Sequence, residues 1–151
     1  MTRRIKGRIT FIAATSLIIS LLAFRNQVAD TIIPDNKMDK KITLAVYKGS
    51  DYSSKVYEST SATVHVVIKK VRRGKETVVF EKTLDSLQLK QYPDISNAIA
   101  QNITIPNVAD NKEHLVITYT LTYNSKGTEL QMQDGMEVTK GTANGKVYIN
   151  I

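Results

Sequence analysis

From Leu115 to Asn124 the chain alternates: Leu115, Ile117, Tyr119, Leu121 and Tyr123 are apolar or aromatic, and Val116, Thr118, Thr120, Thr122 and Asn124 stand between them. A strand sends successive side chains to opposite faces, so this period of two predicts a half-buried β-strand with one apolar wall and one threonine-rich outer surface. Its length and regularity place it centrally, with neighbours on both sides. Upstream, Ile42, Leu44 and Val46 alternate with Thr43, Ala45 and Tyr47 and stop at Gly49, Ser50 and Asp51. A short extended piece is expected around Lys55 to Glu58. Val64, Val66 and Ile68 alternate with Thr63, His65 and Val67, and the chain turns at Arg72, Arg73, Gly74 and Lys75, where Gly74 supplies a positive φ. It returns through Val78, Phe80 and Leu84 on one face, which makes Ala62 to Leu84 a hairpin.

Pro93 stops any long element between Asp85 and Asn97. Ser96 to Gln101 alone suits a helix start, but Ile95, Ile99, Ile103 and Ile105 share one parity and favour an extended segment with those four on one face, ended by Pro106 and Asn107. A polar crossing from Val108 to Glu113 then leads into the central strand. Asn124 to Gly127 turns the chain into Leu130 and Met132, and Asp134–Gly135 and Asn144–Gly145 read as two further turns. Val147, Ile149 and Ile151 close the sequence in an alternating strand.

Seven or eight strands separated by turns predict an all-β fold, an antiparallel β-sandwich. Over Lys41 to Ile151 the pattern resembles an immunoglobulin-like or fibronectin-type module. The resemblance is one of architecture and implies two packed antiparallel sheets, with Tyr119 or Tyr123 in the place of a bracing tyrosine.

The amino-terminal segment changes the picture. Arg3, Arg4, Lys6 and Arg8 precede an apolar run from Ile9 to Phe24, the arrangement of a secretory signal. As a helix this run would span about 24 Å, against a hydrocarbon thickness of about 30 Å. That favours a cleaved signal, with a cut after Ala29. Gln27 at the third position before that cut, and Arg25 directly after the apolar run, keep an uncleaved signal-anchor open. In that case the basic residues would hold the amino terminus in the cytoplasm and the β-domain outside. Lys6 argues against a twin-arginine signal, and Arg8 against a pilin-type leader. The expected organisation is therefore a signal peptide or signal-anchor helix over 1–29, a linker over 30–40 and the sandwich over 41–151. The expected location is exported, whether periplasmic, cell-surface or extracellular.

The net charge of +7 must be divided along the chain. Of the 21 Lys and Arg, five precede the first acid, Asp30, leaving 16 against all 14 acids. So small a residual charge argues against a nucleic-acid partner. With no cysteine there is no disulfide, thiolate metal site, thiol nucleophile or lipoprotein anchor.

Candidate chemistry is sparse. His65 and His114 are the two imidazoles and read as surface histidines. There is no nucleophile elbow, metal-ligand spacing or phosphate-cradling glycine loop. No cofactor, no metal and no catalytic residue is expected. Two features point to partner binding. Lys69, Lys70, Arg72, Arg73 and Lys75 crowd the first hairpin tip, suited to anionic headgroups, acidic glycans or an acidic protein surface. The strand carrying Val147, Ile149 and Ile151, if it lies at a sheet edge, is suited to pairing with a strand of another chain. Asn102, Ile103 and Thr104 spell a glycan acceptor inside an expected strand. The expected function is a non-catalytic exported binding or accessory subunit of a cell-envelope or extracellular assembly. The alternative is a structural subunit that polymerises through its N-terminal helix or C-terminal strand.

Overall fold

The alternating segments become strands, and their pairing sets which faces are buried. The computed structural model describes residues 35–151. The strands are β1 (Lys37–Tyr47), β2 (Thr60–Arg72), β3 (Lys75–Thr83), β4 (Leu87–Gln88), β5 (Ile99–Ala109), β6 (Glu113–Ser125), β7 (Thr128–Glu137) and β8 (Asn144–Asn150). Three single 3-10 turns, Lys55–Tyr57, Leu89–Gln91 and Ile95–Asn97, are the helical pieces among the described residues. The expected signal or anchor over 1–29, and residues 30–34 of the expected linker, lie outside the described residues.

Two sheets form, both rich in antiparallel pairs. One has the order β5-β1-β8, and the other runs β3-β2-β6-β7 with β4 pairing the start of β2. As the alternation requires, β6 is central. Leu115, Ile117 and Leu121 face the core with Val64, Val66 and Ile68 of β2, and they meet Ile42, Leu44, Val46, Val147 and Ile149 of the other sheet. Close packing of these β-branched and leucine side chains excludes water from the space between β1, β8 and the β2–β6 pair and supplies most of the domain's stabilisation.

The structure corrects several local expectations. The first strand begins at Lys37, so Lys37 to Lys40 belong to β1 and not to a solvated linker. The piece at 55–58 is a 3-10 turn. Between Ile68 and Lys69 the β2–β3 register shifts by a bulge, which turns Val79 and Phe80 toward the core and leaves Val78 exposed on the outer side. Ile95 lies in a 3-10 turn and is exposed, and Ile99 is exposed too, so only Ile103 and Ile105 of the four isoleucines face the core. Pro106 and Asn107 do not end β5. They form a bulge opposite Asp39, whose carboxylate accepts the Asn107 N–H at 3.0 Å, and the strand runs on to Ala109. A proline is tolerated there because β5 is an edge strand. Finally, β8 pairs with β1 in parallel, so the sandwich is not purely antiparallel.

Asp134–Gly135 is no turn either; both residues lie within β7. A Cβ on Gly135 would stand 2.7 Å from the main-chain oxygen of Ile117, so the neighbouring strand requires a glycine at this position. Gly135→Ala should lower stability by about 1–3 kcal/mol, read from the midpoint of urea unfolding. Gly74 is the control. It sits at φ +76 with open space around it, so Gly74→Ala should cost only backbone strain of about 1 kcal/mol. Equal effects at the two glycines would remove the packing argument. Asn144–Gly145 opens β8; the turn before it is at residues 139–142, where Gly141 takes φ +79.

The turn at 139–142 is pinned from below. The Lys40 ammonium contacts the Asp110 carboxylate and donates to the Thr142 carbonyl at 2.7 Å, while Gly141 N–H donates to Asp110. Lys40 and Asp110 are 2% and 9% exposed. Burial alone would raise the Asp110 pKa. The Lys40 ammonium and the Gly141 N–H outweigh it and hold the carboxyl below its ordinary value.

Candidate functional site: an apolar overhang on β7

In an antiparallel pair, residues directly opposite one another project to the same side. Met132 is opposite Leu121 and Met136 opposite Ile117, both buried core residues, and Leu130 is opposite Tyr123. Leu130, Met132, Asp134 and Met136 therefore belong to the inner, core-facing side of the sheet. Yet Leu130 is 61% exposed, Met132 55% and Met136 43%. The reason lies in the strand orders: a sheet four strands wide faces one of three, and the wider sheet overhangs along β7.

At one end the overhang becomes a groove of about 510 Å³, lined by Tyr52, Val56, Tyr57, Tyr123, Leu130 and Met132 among others. Its far wall is the loop after β1. The Tyr52 hydroxyl donates to the main-chain oxygen of Ile151 at 2.6 Å, and its ring meets Tyr57 edge to face at 5.1 Å. These contacts fix the wall at the end of β8. Midway along β7, Asp134 is the charged residue of the apolar row. Its carboxylate accepts the Tyr119 hydroxyl at 3.1 Å and the Gly135 N–H at 2.7 Å. Burial, and then the Asp134 carboxylate, push the Tyr119 phenol above its usual pKa, so it stays a donor at neutral pH.

The residues singled out from sequence fall elsewhere. Lys69, Lys70, Arg72, Arg73 and Lys75 do gather at the β2–β3 tip, around a shallow cleft of about 340 Å³ lined by all of them except Lys69. Acids share that tip. Lys69 pairs with Glu76 at 2.7 Å, and the half-exposed Arg72 and Lys70 lie 3.6 and 3.7 Å from Glu113, which is itself buried and accepts the Ala109 N–H. Val147, Ile149 and Ile151 are all buried, so their side chains build the domain's own core. β8 is nonetheless an edge strand, and what it offers outward is main chain.

Comparisons with protein-family models, with curated proteins and with solved structures give no match.

Both histidines sit in cross-strand pairs. His65 Nδ1 is 2.9 Å from the Thr83 hydroxyl and its Nε2 3.4 Å from Glu81, and His114 lies 3.9 Å from Glu137. Asn102 is exposed on β5 and its side-chain oxygen accepts the Thr43 hydroxyl at 2.9 Å. Sequence reasoning missed the overhang, although Leu130, Met132 and Met136 share one parity; that alternation was legible as a strand but not as one left uncovered.

Proposed function

We propose that this chain is a non-catalytic, exported β-sandwich that acts as a binding or accessory subunit of a cell-envelope or extracellular assembly. Its partner is a protein, held on the inner face of β7. The observation that carries this reading is the row Leu130, Met132 and Met136, large apolar side chains exposed on the side of the sheet that elsewhere forms the core. Exposed apolar surface of this kind, with Leu130 and Met132 sharing one groove with Val56 and Tyr57, marks an interaction site. The basic-then-apolar segment ahead of the domain supports export. The domain is an immunoglobulin-like variant in this reading: β1 with β5, and β3-β2-β6-β7, form its two faces, and β8 stands beside β1 where a first strand would lie.

A photo-crosslinking residue at position 132 of the full chain, compared with one at exposed Lys41 on the opposite sheet, tests the proposal in producing cells. The expected result is a discrete protein adduct from position 132 alone, on material that protease reaches from outside the cytoplasmic membrane. A cytosolic, protease-protected chain, or equal labelling from both positions, would overturn it.

A further inference from the structure

β8 lies on the β7 side of the sandwich: Tyr52, which lines the groove with Leu130 and Met132, donates to Ile151 just past the end of β8, and a Cβ on Gly145 near its start would stand 3.6 Å from Val138, the residue after β7. The overhang and the open edge of β8 therefore bound the same side, with a slot between them that has room for an added strand. Ile151 N–H donates to the Tyr47 carbonyl at 2.9 Å and Lys41 N–H to the Ala143 carbonyl at 2.7 Å. In a parallel ladder bonding residues alternate, so the odd-numbered residues of β8 bond β1. The N–H and C=O groups of Lys146, Tyr148 and Asn150 are thereby directed away from β1, along the outer edge. An added strand would lie about 4.8 Å beyond β8 and one sheet spacing, about 10 Å, above β7. Its inward side chains would rest on Leu130, Met132, Asp134 and Met136.

We propose that this slot accepts a single extended peptide segment from the partner, added antiparallel to β8, with apolar residues at alternate positions and a lysine or arginine set against Asp134. This rests on the binding-module reading above and names the form of its partner. Three observations select that occupant. The open main-chain groups of β8 call for a strand. The apolar row on β7 calls for a period of two. The Asp134 carboxylate, exposed between Met132 and Met136 and held in place by the Tyr119 hydroxyl and the Gly135 N–H, calls for one cation at the third inward position. A second copy of this domain fits poorly edge to edge, because its β8 carries its own second sheet beneath it, and that sheet would need the space β7 occupies.

The test uses the full chain and the synthetic peptide Thr-Val-Thr-Val-Thr-Lys-Thr-Val-Thr, with a version carrying aspartate in place of lysine as control. Amide hydrogen exchange should slow at Lys146, Tyr148 and Asn150 when the lysine peptide binds, and the aspartate peptide should bind at least tenfold more weakly. Asp134→Lys should reverse that preference. Tyr148→Pro removes an outward N–H without breaking a bond to β1, and should weaken binding at least tenfold while leaving the unfolding midpoint near that of the parent. Absence of binding at millimolar peptide, or binding indifferent to Tyr148→Pro, overturns the proposal. Peptide-induced change confined to Leu130 and Met132, with unaltered exchange in β8, would overturn strand addition yet leave the apolar face as a binding site. Protection of the β8 amides without peptide, accompanied by dimer in sedimentation, would make the occupant a second copy and also overturn it.

Discussion

Deleting residues 145–151 from the full chain should abolish cooperative unfolding of the sandwich. Val147, Ile149 and Ile151 are buried, and fully burying such side chains contributes roughly 1.5–3 kcal/mol each, or about 5–9 in all. Domains of this kind retain only about 5–15 kcal/mol of net stability. The deletion also strips cover from Ile42, Leu44 and Val46 in β1, and takes away the main-chain oxygen that anchors Tyr52. Ile149→Ala is the graded version, with an expected loss of about 2–5 kcal/mol. Circular dichroism during heating checks both. A truncated chain that melts as sharply, and as high, as the parent would mean that β1 and β6 hold the core without β8.

Lys40→Met should destabilise the domain by about 3–5 kcal/mol, because it leaves the Asp110 carboxylate buried without its cation. The double variant Lys40→Met with Asp110→Leu should recover most of this, since an apolar pair of similar volume needs no desolvation of charge. The hydrogen bond from Gly141 stays lost, at about 1 kcal/mol. The pH dependence has a definite sign. The Asp110 carboxyl is held below its ordinary value in the fold, so its contribution is complete above the unfolded value of about 3.9 and disappears as pH falls through the lower folded value. Stability of the parent should therefore fall from about pH 4 downward more steeply than that of the double variant. Urea titrations at pH 7 and pH 3 decide it; parallel losses in the two proteins would show that the pair does not carry this linkage.

Strand existence was legible because burial on one side writes a period of two into the sequence, as in Leu115 to Tyr123 and Ile42 to Val46. Features set by a second strand were not. The bulge beside Ile68 reverses the face of Val78, and nothing in residues 75–84 alone records it. Asp134–Gly135 has the composition of a turn, yet its glycine answers to the Ile117 main chain across the ladder. Lys40 reads as a solvated linker residue because its partner, Asp110, lies 70 positions away in the sequence. Parallel pairing of β8 with β1 leaves no mark in either strand's alternation. The basic tip was visible as a cluster, but its acids, Glu76 and Glu113, come from β3 and β6, and the second is brought in only by folding. The overhang was hidden for the same reason: Leu130 and Met132 look like ordinary core until the number of strands in the opposite sheet is known.

The two outer edges of the three-stranded sheet are not equivalent. On the β5 side, Pro106 lacks an amide hydrogen and the bulge at Asn107 breaks the regular ladder, whereas β8 is uninterrupted. If β8 takes up a strand as proposed, this sheet would offer one uninterrupted flank and one interrupted by Pro106 and the bulge. Uptake on it would then saturate at one strand per domain, and a run of strand exchange through this sheet would end there.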